Sequence, residues 1–466
     1  MKKIIFTFLF FAITLTAYAQ NDCECSKTLK RLIIKVENEY PGFNLKAKDS
    51  ITYNNFKKHL IELSNETNET NCFDILKKYT NYFKDGHLSI AQKNGDNKNS
   101  EVKTNDIINV KDFDKYLIKS KDNLEGIWTS ESYKLGVIKK DRNYIGFVIS
   151  SQNKEWKQSE IKFKLNSNNS AIYYLGNHSQ KKDIYLNIKN SIIYFQNTKV
   201  AFVKEYPLPQ LTNENITKEL NELEGFYIKP INKKTILFKI SSFDYSYTER
   251  IKELIKSNKQ LIEQSDNLII DVRGNTGGTD YSYHPILPYL YTNPVRHLGA
   301  EYYVTQTLID GLTNWANNTD KNKYADEIEN IKRDLKRMEG KIGQFIPYHA
   351  ESDFGFTERD SIYIYPKNVI ILIDERSASS TEKLLLIAKQ SKKVKVLGTP
   401  TYGAIDYISV REFSFDCDNY ALYMPTVRML RLPDYPLDNI GIQPDIYMDK
   451  YVKDWVQYAK DYMENE

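Results

Sequence analysis

The second half of the sequence alternates between short apolar runs and longer amphipathic stretches, and this alternation restricts the fold more than any other feature. The two periods predict strands at 235–240, 268–272, 369–373 and 394–398, and helices at 247–263 and 382–390. Such alternation is typical of an α/β domain. We assign this domain to residues 212–450, with an insertion at about 295–365 and a following C-terminal helix at 451–466.

Two of the predicted strands run directly into turns of small residues. The turn Ser377-Ala-Ser-Ser-Thr-Glu382 links a buried strand to a helix, and the turn Arg273-Gly-Asn-Thr-Gly-Gly278 follows another buried strand. A serine at a helix N-terminus has free backbone N–H groups beside it, which favour a hydroxyl nucleophile and its oxyanion. The plainer alternative is an N-cap serine, with Glu382 completing a Ser-x-x-Glu capping box.

The first 207 residues predict a different organisation. Residues 1–19 indicate a secretory signal, with Lys2 and Lys3 before an apolar stretch and a small-x-small cleavage site ending near Ala19. Residues 20–90 are predicted to be helical, 91–123 to be a polar linker, and 124–207 to be a small all-β module, either a barrel or a sandwich. The β module shows no catalytic pattern.

Four cysteines follow the predicted signal: Cys23, Cys25, Cys72 and Cys417. Export would permit disulfides, although the sequence does not determine the pairing. We favour one bridge from the Cys23/Cys25 pair to Cys72. A Cys-x-Cys metal site is disfavoured because no histidine or cysteine cluster accompanies it.

Charge and hydropathy exclude two classes of partner. The formal net charge is +4, with lysines mixed among acidic residues, so nothing indicates nucleic-acid binding. No segment after the predicted signal is apolar enough to suggest a membrane span. Nothing in the sequence indicates the oligomeric state.

Four motifs in a fixed order resemble the tail-specific (C-terminal processing) and tricorn-core family of serine peptidases. They are Leu268-Ile-Ile-Asp-Val-Arg-Gly-Asn-Thr-Gly-Gly278, Ser377-Ala-Ser-Ser-Thr-Glu382, Gly398-Thr-Pro-Thr-Tyr-Gly403 and Gly441-Ile-Gln-Pro-Asp445. The resemblance implies a crotonase-like (ClpP/crotonase) catalytic domain over roughly 212–450. It also implies that Ser379 is the nucleophile, with the N–H groups of Gly278 and Ser380 as the oxyanion hole.

The residue at the position of the general base differs from that in one branch of this family. Processing peptidases use a lysine 25 residues after the serine, but that position is Ala404 here. Tricorn-like members use a histidine in Asp-Gly-His-Thr, which Asp85-Gly-His87-Leu resembles. His87 is therefore the expected base, and His284 is the alternative.

The third catalytic residue should orient the imidazole and stabilise its charged form. In the tricorn-like pattern a Glu-Asn pair precedes the last motif, and Asp438-Asn439 occupies that place. Asp438 is the expected residue, and Asp406 and Asp445 are the alternatives. A purely structural role for Asp438, as a turn residue, is the other interpretation.

The sequence thus predicts an exported serine peptidase, periplasmic or secreted, that acts on peptides or unfolded proteins without a metal or organic cofactor. A PDZ-like segment is not recognisable before the catalytic strands, which favours peptide trimming or general endopeptidase activity over tail-specific recognition. The alternatives are an inactive relative that binds peptides or small apolar ligands, and a serine hydrolase acting on another acyl substrate. A structural or adhesion protein would leave the ordered motifs unexplained.

Overall fold

The computed structural model describes residues 23–67, 69–93, 112–322, 324–348, 354–415, 417 and 419–465, so the predicted signal at 1–19 and most of the predicted linker lie outside it. The chain forms two compact units. The first unit draws on Met1–Gly95, His297–Gly355 and Gly403–Ile440, and the second on Asp96–Arg296, Phe356–Tyr402 and Gly441–Glu466.

The helices of both units follow in chain order: α1 Cys25–Glu39, α2 Phe43–Lys46, α3 Ser50–Glu66, α4 Glu69–Asn81, α5 Phe113–Lys119, α6 Asn213–Glu224, α7 Thr248–Ser257, α8 Lys259–Gln264, α9 Asp280–Tyr283, α10 Leu287–Leu290, α11 Gln306–Asn318, α12 Ala325–Met338, α13 Ser380–Ala388 and α14 Trp455–Asn465. Two 3₁₀ turns, Tyr245–Tyr247 and His284–Ile286, flank α7 and α9.

The strands follow in the same way: β1 Ser89–Gln92, β2 Gly126–Thr129, β3 Tyr133–Lys140, β4 Asn143–Ser151, β5 Ile161–Leu165, β6 Ser170–Tyr174, β7 Gln180–Ile188, β8 Ile192–Phe195, β9 Val200–Tyr206, β10 Phe226–Pro230, β11 Thr235–Ile240, β12 Asn267–Asp271, β13 Val295–Leu298, β14 Ala300–Tyr303, β15 Phe345–Pro347, β16 Phe354–Thr357, β17 Asn368–Ile373, β18 Val394–Gly398, β19 Tyr407–Phe413, β20 Tyr420–Met429 and β21 Ile446–Tyr447.

The first unit packs helices α1, α3 and α4 against an antiparallel sheet. Strand order is β1-β20-β14-β15, with β19 also paired to β20. The predicted apolar stripe of α1 is confirmed as buried, since every member is at most 5% exposed: Leu29, Leu32, Ile33, Val36 and Tyr40. The same core contains the sheet residues Tyr407, Leu422 and Met424.

Two disulfides lie in the first unit. Cys25 pairs with Cys72, as expected for a bridge between the N-terminal helices. Cys23 pairs with Cys417, which was not expected, across a sequence separation of 394 residues. The second bridge fastens the start of α1 to the loop between β19 and β20.

The second unit contains a six-stranded sheet in the order β10-β11-β12-β17-β18-β21. All neighbouring pairs are parallel except β10 with β11. Both central strands are buried on both faces, as near-continuous apolar runs predict for a parallel sheet. Helix α14 covers part of one face through Ala459 and Met463.

Strands β2 to β9 of the second unit close into an antiparallel barrel, one of the two architectures expected for the β module. Its interior is filled by aromatic side chains, including Trp128, Phe163 and Phe195. Helix α5 lies within the predicted linker and packs on the barrel, because Phe113 and Leu117 bury against Phe147.

The compact units divide the predicted catalytic domain. Residues 297–355 and 403–440 of the region 212–450 belong to the first unit, because β20 pairs there with β1 and β14. Among the described residues, none of the helices has both the length and the apolar character needed to cross a bilayer. The same residues contain no cluster of three or more side chains suited to a metal ion.

Candidate active site

Ser379 lies at a sharp turn between the buried strand β17 and helix α13. Its backbone has φ 56° and ψ −118°, a conformation that L-residues rarely adopt and that costs on the order of 1–3 kcal/mol. Its neighbours Ser377, Ala378 and Ser380 are buried, whereas Ser379 is only half-buried. The turn therefore presents this serine to its surroundings rather than to the core.

Asn275 holds the serine turn against the glycine turn. Its carbonyl oxygen accepts the Ala378 N–H at 3.1 Å and the Thr381 hydroxyl at 3.0 Å. Its side-chain oxygen accepts the Gly277 N–H at 3.0 Å, and the residue is fully buried. One residue thus fixes both turns, and the interpretation of the sequence did not single it out.

Glu382 fixes the other side of the serine turn. Its fully buried carboxylate accepts the Ser379 N–H at 2.9 Å and the Thr401 hydroxyl at 2.6 Å. The first bond is the glutamate half of the predicted capping box. Glu382 therefore stabilises both the start of α13 and the strained backbone of Ser379.

The two glycines of the other turn lie where no side chain would fit. Gly277 has φ 96°, and a Cβ added there would lie 2.6 Å from the Ala378 oxygen and 2.8 Å from the Ser379 Cβ. Gly278 has φ 144°, and its Cβ would lie 2.2 Å from the Phe243 oxygen. Glycine is required at both positions because the backbones approach so closely.

Two backbone N–H groups beside Ser379 have no hydrogen-bond acceptor among the described residues. Within the part of the chain that the structure describes, neither Gly278 nor Ser380 donates its N–H to another group. The Ser380 N–H belongs to the first turn of α13, where the helix offers no internal acceptor. The Ser380 hydroxyl is also buried without a described partner. Such unpaired donors next to a serine can stabilise an oxyanion.

His87 lies in the first unit, in the loop between α4 and β1. Its Nδ1 is 2.6 Å from the carbonyl oxygen of Tyr407, and its backbone N–H donates to the Asp85 carboxylate at 2.8 Å. Since a carbonyl oxygen can only accept, Nδ1 donates this bond, and in the neutral ring the lone pair is then on Nε2. This tautomer is the one that a general base requires.

Asp438 also lies in the first unit, where its described hydrogen bonds involve two backbone N–H groups and one ammonium. One oxygen accepts the N–H groups of Ile405 at 3.0 Å and Asp406 at 2.8 Å, and the other lies 3.1 Å from the Lys46 ammonium. The contact at Nδ1 of His87 that we expected from Asp438 is made by the Tyr407 carbonyl. Burial raises the pKa of Asp438 above its ordinary value.

The alternative acids and bases have other partners. Asp406 forms a buried ion pair with Arg431 and accepts the Leu437 N–H, and Asp445 pairs with Lys389. The His284 side chain is exposed, with its ring near those of Tyr281 and Tyr283. Ala404, at the position of the family's lysine, is only 3% exposed and offers no base.

The predicted residues therefore fall into two groups. Ser379, Ser380 and Gly278 are brought together in the second unit, whereas His87 and Asp438 are brought together in the first. Asn275 was not predicted, although it lies inside the motif Leu268–Gly278. An asparagine between glycines could have indicated a hydrogen bond between its side chain and the backbone of the turn. The Tyr407 contact gives no such signal, because it uses a backbone carbonyl.

Comparisons with known proteins agree with this geometry. Residues 234–448 match the sequence profile of Peptidase family S41. A comparison with curated protein sequences gives no match. The crystal structure of mature CPAF is 12% identical with a TM-score of 0.50, covering 94% of this chain and 97% of that one.

Two further solved structures are similar to this chain. A mutant of CPAF has the same identity and TM-score, 12% and 0.50, over 95% of this chain and 96% of that one. The tricorn protease is also 12% identical, with a TM-score of 0.40, over 95% of this chain and 36% of that one.

The sequence match gives the class, and the solved structures of mature CPAF and its mutant agree with it in fold. The molecule is a serine-type peptidase with mixed α/β architecture and several sheets. More narrowly, the part of the chain that carries this match, residues 234–448, is similar to Peptidase family S41.

Proposed function

We propose that this serine peptidase hydrolyses peptide bonds through an acyl-enzyme on Ser379, with His87 as the general base. The observation that carries the proposal is the turn at Ser379. There a strained, half-buried serine adjoins the N–H groups of Gly278 and Ser380, which have no acceptor in the part of the chain that the structure describes. The bond from His87 Nδ1 to the Tyr407 carbonyl supports its role as the base, because the neutral ring then accepts protons at Nε2.

The chemistry follows from these groups. His87 Nε2 accepts the proton of the Ser379 hydroxyl while the serine oxygen attacks the peptide carbonyl. The carbonyl oxygen becomes negative, and the N–H groups of Gly278 and Ser380 stabilise it. His87 then donates the proton to the leaving amine, and water hydrolyses the acyl-enzyme with the same groups in reverse roles.

The Tyr407 carbonyl takes part of the role that we expected of Asp438. It fixes the ring and favours the charged imidazole by accepting from Nδ1–H, although it carries only a partial charge. We infer a crotonase-like arrangement for the S41 domain and peptides or unfolded proteins as substrates. Export to the periplasm or the medium is part of the proposal, and the two disulfides support an oxidising compartment.

The test is cleavage of an unbiased peptide mixture, followed by mass spectrometry. Ser379→Ala and His87→Ala should each lower cleavage by at least about a thousandfold. His284→Ala tests the alternative base, and His59→Ala, on an exposed position of α3, is the matched control that should keep full activity. A serine-directed phosphonate should label wild-type Ser379.

The possible results separate the alternatives. Activity that survives His87→Ala but not His284→Ala would transfer the base to His284. Phosphonate labelling without peptide cleavage would indicate a hydrolase for another acyl substrate. Neither labelling nor cleavage by folded wild-type protein would indicate a peptide-binding relative without activity.

A further inference from the structure

Two carboxylates, those of Asp85 and Asp438, are buried in the first unit near the His87 loop. Neither the sequence motifs nor the family match assigns them a joint role. Asp85 is 6% exposed, and the side chain of Asp438 is fully buried. Burial, and next the neighbouring charge of Asp438, raise the pKa of Asp85 to about 7. The two acids are therefore buried and close enough for the charge of one to act on the other.

Asp85 is bonded directly to the backbone that carries the catalytic candidate. One of its oxygens accepts the His87 N–H at 2.8 Å, and the other accepts the Tyr40 hydroxyl at 2.7 Å. Tyr40 is itself buried at the end of α1, with its ring 5.3 Å from that of Tyr407. Asp85 thus connects the His87 loop to α1 and to the strand whose carbonyl accepts from His87 Nδ1.

The cations near the pair do not balance two negative charges. In the contacts described for these acids, Lys46 is the one ammonium on Asp438, and no cation donates to Asp85. Lys46 also points toward the carbonyl oxygen of Lys84, at 3.4 Å. Asp406, the next acid, already has Arg431 as its own partner.

The groups that face the pair come from four parts of the unit: Tyr40 at the end of α1, Lys46 from α2, Asp406 from the turn before β19, and Tyr407 from β19. Arg431, after β20, pairs with Asp406. Two buried carboxylates that face one ammonium cannot both remain ionised at low cost. One proton must be retained between them.

We propose that Asp85 is the positioning residue for His87, and that its buried carboxyl keeps a proton beside Asp438, whose charge is paired with Lys46. Asp438 then serves the catalytic site through Asp85 and Lys46 rather than through the imidazole. This inference rests on the proposed role of His87 as the base. It assigns Asp438 a place in the site different from the one that its sequence position indicated.

The pair can be tested by ¹³C NMR titration of aspartate carboxyls in the wild-type protein, Asp85→Asn and Asp438→Asn. The proposal expects one carboxyl to titrate near pH 7 in the wild type and this transition to disappear in Asp85→Asn. Asp183→Asn is the matched control, since Asp183 is a buried acid of the barrel that binds the N–H groups of Asn197 and Thr198. Its variant should keep the transition near pH 7.

The positioning role can be tested with the same variants and Asp85→Ala. Asparagine can still accept the His87 N–H, so Asp85→Asn should keep most of the kcat. Alanine cannot, so Asp85→Ala should lower kcat about tenfold with little change in KM. Long-range ¹H–¹⁵N spectra should show the Nδ1–H tautomer of His87 in Asp85→Asn and its partial loss in Asp85→Ala.

Two results would overturn the inference. The first is titration of every aspartate at or below its ordinary pKa, and the second is an Asp85→Ala protein that matches Asp183→Asn in both kcat and the His87 spectrum. If wild-type protein cleaves no peptide, the proposed function fails instead, and the two NMR experiments still decide whether Asp85 keeps a proton and positions His87.

Discussion

At the scale of single residues, the site depends on the unusual backbone of Ser379. A positive φ at a serine persists only where its neighbours hold it, and here Asn275 holds the preceding residue while Glu382 accepts the Ser379 N–H. The identity of Ser379 as the candidate nucleophile could be predicted from the motif. Its strain could not, because the turn also depends on the bonds from Ala378 and Thr381 to Asn275, which is distant in sequence.

Gly277→Ala should disrupt this site at its closest approach. The added methyl would collide with the Ala378 carbonyl oxygen and the Ser379 Cβ, so we expect at least about a tenfold loss of kcat. The loss of stability should be about 1–3 kcal/mol. Gly274→Ala is the control, since its φ is also positive, 78°, but nothing lies within 4 Å of the new methyl.

Peptide cleavage and urea unfolding of both variants check this expectation. Strain alone should cost Gly274→Ala about 1 kcal/mol and leave kcat nearly unchanged. Equal losses of activity in the two variants would mean that the close contact at Gly277 has no special role.

At the scale of elements, the first turn of helix α13 contains a carboxylate, that of Glu382, which accepts two hydrogen bonds from different segments. Glu382 joins the first turn of α13 to the loop after β18 through Thr401. The capping role of Glu382 was predicted from its spacing, and the bond to the Ser379 N–H confirms that part. The bond to Thr401 could not be predicted, since it depends on the parallel pairing of β17 with β18.

Glu382→Ala should leave the Ser379 N–H unpaired and destabilise the fold by about 1–3 kcal/mol. Cleavage should fall as well, because Ser379 loses the bond that fixes its backbone. Glu382→Gln keeps an acceptor and should recover part of both losses. The control is Glu249→Ala, at the exposed first turn of α7, which should cost less than about 0.5 kcal/mol.

Chemical unfolding and peptide cleavage measure these differences. A Glu382→Ala protein as stable as Glu249→Ala would show that the buried carboxylate does not support the turn.

Other elements show where sequence patterns stop being informative. The central strands β12 and β17 were predictable because fully buried parallel strands form continuous apolar runs. Strand β1 has four residues and α5 has seven, so neither offers enough periods to be recognised. Strands β14 and β15 lie inside the predicted insertion. They pair with each other, and β14 joins the sheet through β20, with Tyr302 opposite Val427, about 125 residues later in the sequence.

At the scale of the whole molecule, two long-range links hold the His87 segment in the first unit. Strand β1, which follows His87 directly, pairs with β20, and the Cys23–Cys417 bridge fastens α1 near the start of β20. Neither link could be derived from spacing, because four cysteines permit three pairings and a four-residue strand specifies no partner.

Removing the Cys23–Cys417 bridge should therefore destabilise the first unit. We expect Cys23→Ala with Cys417→Ala to cost about 2–5 kcal/mol, chiefly because the unfolded chain loses a long-range constraint. The Cys25→Ala, Cys72→Ala protein is the comparison, since it removes a bridge of only 47 residues' separation.

Thermal unfolding with and without a reductant measures the effect, and peptide mapping under non-reducing conditions checks the pairing. Identical melting temperatures for the wild type and the Cys23→Ala, Cys417→Ala protein would contradict this prediction, as would a Cys23–Cys72 peptide.

The first unit is formed from three separate segments of the chain, and this limits how the protein can be shortened. The family match covers 234–448, yet two segments inside it, 297–355 and 403–440, complete their sheet and core with residues before 94. Expression of the matched region alone would leave the edge of β20 unpaired, Cys417 without its partner and an apolar surface uncovered. A shorter soluble version would have to keep the N-terminal helices, or supply them as a separate polypeptide that reassembles with the rest.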